Sequence, residues 1–202
     1  MAHKTLSALS IAAALVAGAF SISAPAPADA HRVIAPCDFV TGGGYVFKDN
    51  GMMTNFGVNA GCKNGDFWGN VNVLDHETQF HLKSEKITGY LYDPAFPNSR
   101  DFCGWGRINT QSELVQFRIR VTDNGEPGTS DEFGVIIDNH FGTGDRFYRV
   151  STRKLGGGSG GGGNIQLHKA NNSTTKNPGF FSNFTETSMC GDLSGPNAPT
   201  LE

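Results

Sequence analysis

Apolar and polar residues alternate with a period of two along most of this chain, and nowhere does an apolar pattern hold a helical period for three turns. The cleanest run is 115–122, where Val115, Phe117, Ile119 and Val121 alternate with Gln116, Arg118 and Arg120. That spacing predicts a strand with one face in a core and the other in water. A partner strand is predicted at 133–138, joined through Asp123-Asn124-Gly125-Glu126-Pro127-Gly128, a sequence of turn formers. Upstream, the pattern predicts strands at 39–47, 53–62 and 67–74, with hairpins at Asn50-Gly51 and Asn64-Gly65. On the second of these, Phe56, Val58, Ala60 and Cys62 share one face, while Asn55, Gly57, Asn59 and Gly61 share the other; Val71 and Val73 alternate with Asn70 and Asn72 on the third.

Short strands follow at 79–84, 87–92, 102–109, 146–152 and 164–169, with Pro94 and Pro97 breaking the run between the second and third of these. The tract 156–163 is glycine apart from Ser159 and reads as a flexible connection. Short strands linked by tight turns predict an all-β fold: a single antiparallel β-sandwich or flattened barrel of about nine to ten strands. Residues 170–202 are rich in Asn, Ser, Thr and Pro and read as a low-complexity, largely disordered tail.

The N-terminal 1–30 change the picture of where the protein works. Lys4, the apolar run 11–20 and Ala28-Asp29-Ala30 have the form of a cleaved signal peptide. The expected mature chain therefore has its all-β domain at 31–169, no membrane span, and a secreted, extracellular or cell-surface location. The net charge of −3 survives the removal of Lys4 and Asp29, and it offers no basic field for a nucleic-acid backbone. Four cysteines, Cys37, Cys62, Cys103 and Cys190, predict two disulfides with three possible pairings. The pairing expected from the strand layout is Cys62 with Cys103 and Cys37 with Cys190.

Candidate chemistry is sparse. Gly157-Gly158-Ser159-Gly160-Gly161 matches a nucleophile elbow in letters only, since that motif needs a strand before the serine and a helix after it. His31, His76, His81, His140 and His168 show no zinc-site spacing. Asp123, Glu126 and Asp131 can supply oxygens to calcium, although solvated turns account for the same residues. Tyr90, Tyr92, Trp68 and Trp105 are the aromatic candidates for ligand binding; Tyr90 and Tyr92 are expected on one face, opposite Ile87 and Leu91, either as an exposed strip or as core.

Thr41-Gly42-Gly43-Gly44-Tyr45, 55–61, 121–128 with Asp131 and Phe133, and 161–168 occur in the order in which they resemble the post-COAP domain of bacterial exported proteins. That domain is named for following a choice-of-anchor-P region on surface proteins. The resemblance covers 39–169 and implies an exported all-β accessory module with no catalytic residue to carry over. The extra cysteines, the longer glycine tract and the lack of an upstream anchor region depart from it and suggest a free-standing, disulfide-stapled protein. The leading expectation is a secreted non-catalytic module that binds an extracellular glycan or protein, or serves a structural surface role. A small secreted hydrolase with a loop-assembled site and a calcium-stabilised adhesion domain stay open as alternatives.

Overall fold

A computed structural model of the chain describes residues 37–138, 146–173 and 183–195. The signal peptide expected at 1–30 lies outside the described residues, as do His31 and His140. Nine strands form: β1 (Phe39–Phe47), β2 (Met53–Lys63), β3 (Asp66–Asp75), β4 (Phe80–Leu91), β5 (Ser99–Ile108), β6 (Val115–Thr122), β7 (Glu132–Asp138), β8 (Phe147–Lys154) and β9 (Gly163–His168). All pairings are antiparallel, in the order β8-β7-β6-β5-β4-β3-β2-β1-β9. The chain meanders through eight strands and then sends β9 back to the free side of β1. The all-β expectation holds, in the form of one curled sheet, a half-barrel whose concave face is the core. The curl brings β2 opposite β7, so that Phe56 stacks on Phe133 with centroids 3.9 Å apart.

The predicted alternation sets the register. Val40, Val46, Phe56, Val58, Val71, Val73, Leu82, Phe102, Phe117 and Ile119 all point inward and are buried. Asn64 and Gly65 both take left-handed angles, with φ of 54° and 85°, which matches the right-handed twist of the strands they join. The two strands expected at 79–84 and 87–92 are one bent strand, β4, with register shifts at Ser84/Lys86 and Ile87/Gly89. Each bulge moves the following residues to the other face.

The expected disulfide pairing is corrected. Cys37 bonds Cys62 and Cys103 bonds Cys190, with Cα atoms 5.7 and 5.2 Å apart. Cys62 is in phase with inward Val58 and Ala60 of β2, whereas Cys103 pairs with Arg118 and Gly89 on the convex face. Two cysteines on opposite faces of one sheet cannot reach each other.

The disordered-tail expectation is corrected for 183–195. Helix α1 (Glu186–Cys190) is capped by Thr185, whose hydroxyl accepts from Ser188 N while Ser188 Oγ accepts from Thr185 N. A 3-10 turn, Gly191–Leu193, follows it. Met189, Cys190 and Leu193 are buried against the convex side of β4–β6. Arg118 ties the segment down by donating to Glu186 Oε1 and to the Leu193 carbonyl. The glycine tract is likewise packed: a Cβ on Gly162 would stand 2.1 Å from Gly156 N, and Tyr45 N donates to the Gly162 carbonyl at 2.8 Å. Leu155, at the head of the tract, is fully buried.

Candidate functional site

The carboxylates between β6 and β7 face the edge strand β9. Asp131 is fully buried, and its Oδ1 and Oδ2 accept from Asn124 N at 2.8 Å and Ile165 N at 2.7 Å. Asp123 Oδ2 accepts from Leu167 N at 2.8 Å, and Glu126 Oε1 accepts from the side-chain amides of Asn164 and Gln166. These side chains occupy donors that β9 would otherwise offer to a tenth strand. Among the described residues, no group of three or more His, Cys, Asp or Glu is placed to hold a metal ion.

The aromatic candidates do not converge. Tyr90 is fully buried, because the β4 bulges put it in phase with inward Ile87 and opposite Phe102; an exposed strip containing Tyr90 is thereby overturned. Its hydroxyl donates to Asp38 Oδ1 at 2.7 Å, and burial pushes the phenol well above its usual range. Tyr92 is half-buried beneath the Arg100 guanidinium, 5.2 Å from the ring centre. Trp105 is 39% exposed on the convex side of β5. Trp68 sits on the convex side of β3 beside Phe39, with centroids 6.0 Å apart.

Three buried ion clusters hold the half-barrel. Asp38 receives Arg100 through Nε and Nη2 at 3.1 and 2.6 Å. Asp75 accepts from Lys48 Nζ at 2.8 Å and from Tyr148 OH at 2.6 Å, linking β3 to β8 across the core. Burial alone would raise the Asp75 carboxyl, but hydrogen bonds from Lys48, Tyr148 and Glu77 N hold it below the ordinary range. Asp101 is held down against the same burial cost by Arg118 and Arg120. In each cluster the carboxylate oxygens point at fixed donors, an arrangement suited to locking strands together.

An open cleft of about 470 Å³ lies between the β1–β2 hairpin and β8, lined by Phe47, Lys48, Asp49, Glu132, Arg153 and Lys154. Arg153 pairs with Asp49, and Lys48 pairs with Asp75 and Glu77. Two of its three cations, Lys48 and Arg153, thus already have carboxylate partners.

The convex side of β9, β1, β2 and β3 differs from the rest of the described surface. Register places its outward residues in rows across the strands: Gln166, Thr41, Asn59 and Asn70; then Asn164, Gly43, Gly57 and Asn72; then Tyr45, Asn55 and Leu74. Phe39 and Trp68 border the first row, with the His168 ring stacked on Phe39 at 4.4 Å. Asn70, Asn72 and Gln166 are exposed, and the other amides are half-exposed. The far half of the same convex side lies under α1 and Cys103–Cys190, while among the described residues nothing covers this one. Sequence reading placed Asn55, Gly57, Asn59, Asn70 and Asn72 on the polar sides of their strands. It could not align those sides, because alignment depends on register between segments.

Fold and surface together define a disulfide-stapled all-β half-barrel with one open, amide-rich face. No protein family, curated protein or solved structure compared with the chain matches it. The described residues contain no free cysteine and no helix long and apolar enough to cross a membrane.

Proposed function

We propose that this is an exported, non-catalytic binding module, related to the post-COAP domain, that attaches to extracellular glycan through the convex face of β9–β1–β2–β3. The observation that carries the reading is the asymmetry of the convex side: one half is covered and cross-linked, and the other presents rows of side-chain amides bordered by aromatic rings. The Oδ1 atoms of Asn55, Asn59 and Asn72 bond His76, Asn70 N and His81, which fixes the amide planes and leaves their N–H groups for sugar hydroxyls. Phe39, Trp68 and Tyr45 add apolar ring surface for the C–H faces of a sugar. Two disulfides fit an oxidising compartment outside the cell. The reading needs no bound calcium, since Asp123, Glu126 and Asp131 already accept hydrogen bonds from β9 and their own loop.

A glycan array tests it. The wild-type protein should be retained on a subset of glycans, and the double variant Asn59→Ala/Asn70→Ala should lose at least tenfold of that retention, with only a small fall in melting temperature from the lost, exposed bond between Asn70 N and Asn59 Oδ1. Arg149→Ala, beside the β8 cleft, should bind like wild type. Retention that follows Arg149 instead of the two asparagines would place the ligand in the cleft and refute the proposal.

A further inference from the structure

The middle row of the open face contains a pair of glycines with no structural reason to be there on both strands. Gly43 and Gly57 are direct cross-strand partners on β1 and β2. A Cβ on Gly43 would approach Phe56 O at 3.3 Å, a tight but backbone-limited contact. A Cβ on Gly57 would meet nothing within 4 Å, and its φ is not in the left-handed region. Strand interiors disfavour glycine because it packs nothing and loses the most backbone freedom on folding. At Gly57, then, neither crowding nor backbone angle accounts for the missing side chain. A glycine in such a place leaves room for something to approach the sheet closely from outside.

Resting on the glycan-binding reading, the geometry points to a shallow trough, floored by Gly43 and Gly57 and ended by Asn164 and Asn72, as the seat of an uncharged oligosaccharide. The row crosses four adjacent strands, so it runs roughly 14 Å at the usual strand spacing, longer than a single sugar ring requires. Its rims are the Thr41, Asn59 and Asn70 row on one side and Tyr45 with Asn55 on the other. Charge selects the class of ligand. Between the row of Phe39 and the row of Tyr45, the outward residues of these four strands include no carboxylate, ammonium or guanidinium. Glu126 stands at the β9 margin, held by Asn164 and Gln166, and would repel an anionic sugar. Lys83 stands at the opposite margin, as the neighbour of Asn72 on β4. A neutral polyhydroxyl chain would lie over the two glycines and meet amides at the ends and rims of the row, where Asn72 Oδ1 is shared with His81 and Asn164 Nδ2 with Glu126, and it leaves no buried charge unpaired.

The test compares wild type, Gly57→Thr and Asn72→Ala on laminarin, mannan and cellohexaose as neutral probes, with polygalacturonate as the anionic one. Wild type should bind at least one neutral probe and prefer it to polygalacturonate. Threonine favours strands, so Gly57→Thr should melt at the wild-type temperature or above while its affinity drops at least tenfold. Asn72→Ala should lose affinity with at most a small fall in melting temperature, since it also removes the exposed bond between Asn72 Oδ1 and His81. Wild-type binding kept in both variants would overturn the trough and leave the broader reading standing, whereas a wild-type protein that binds no glycan would remove both. Preference for polygalacturonate, or a lowered melting temperature for Gly57→Thr, would also overturn the inference, the second by showing that the strand itself needs the glycine.

Discussion

Asp131 shows how one side chain can stand in for a strand. Buried between the β6–β7 loop and β9, it takes a backbone N–H from each. Asp131→Ala would strand the Ile165 donor in a dry site, at a cost of about 1–3 kcal/mol, and would also free the half-buried donor of Asn124. The expected loss is about 2–4 kcal/mol, read as a lower urea midpoint at unchanged slope. Asp123→Ala removes the acceptors of Leu167 N and of the exposed Gly125 N from a half-buried place and should cost less. Asp101 gives the acid side of the stability profile. Its carboxyl lies below its ordinary value of 3.8 in the folded protein, against burial, because Arg118 and Arg120 flank it. The unfolded chain therefore binds the proton more readily, so this contribution is complete above the ordinary value and disappears as pH falls through the lower native one. Denaturation midpoints measured between about pH 5 and about pH 2 should fall steadily, and Asp101→Asn should flatten that fall. The carboxylate density of 123–131 was visible in the sequence as a candidate ion site. Its partners were not, since Ile165 and Leu167 lie 34 and 44 residues further on and only the fold brings β9 alongside.

At the scale of elements, the strands and their inward faces were legible wherever alternation ran unbroken, as on β2, β3 and β6. They failed where the alternation itself changes phase. The β4 bulges merge two expected strands and turn Tyr90 from a candidate surface aromatic into core. The disulfides were misread for a related reason: cysteine spacing says nothing about which side of a sheet each thiol occupies. Segment 183–195 has too few apolar residues to announce itself, yet Met189, Cys190 and Leu193 suffice once Cys103 holds them in place. Peptide mapping of the unreduced protein should recover Cys37 with Cys62 and Cys103 with Cys190. Cys103→Ala/Cys190→Ala opens a cross-link spanning 87 residues and should destabilise by about 2–5 kcal/mol. Hydrogen exchange should locate that change, with protection lost first in α1 and kept in β1–β3.

For the whole molecule, the half-barrel separates two duties across one sheet. The concave side and the covered half of the convex side hold the fold, through the stacked core and the Asp38, Asp75 and Asp101 clusters. Among the described residues, the remaining convex quarter carries no core side chain and no ion network, and it presents amides, glycines, Thr41, Leu74 and bordering rings. Side-chain carboxylates close off β9, so the edge next to this face is protected from strand pairing with another chain. On the proposed function, this face is left to a ligand recognised by hydrogen bonds and ring contacts. Backbone amide shifts, recorded while a neutral glycan selected on the array is titrated in, would locate that ligand directly. The expected result is a contiguous set of perturbed amides at 41–45, 55–59, 70–72 and 164–166, with 48–50 and 149–154 unchanged. Perturbations centred on the β8 cleft, or spread evenly over the sheet, would contradict the assignment of function to the open face.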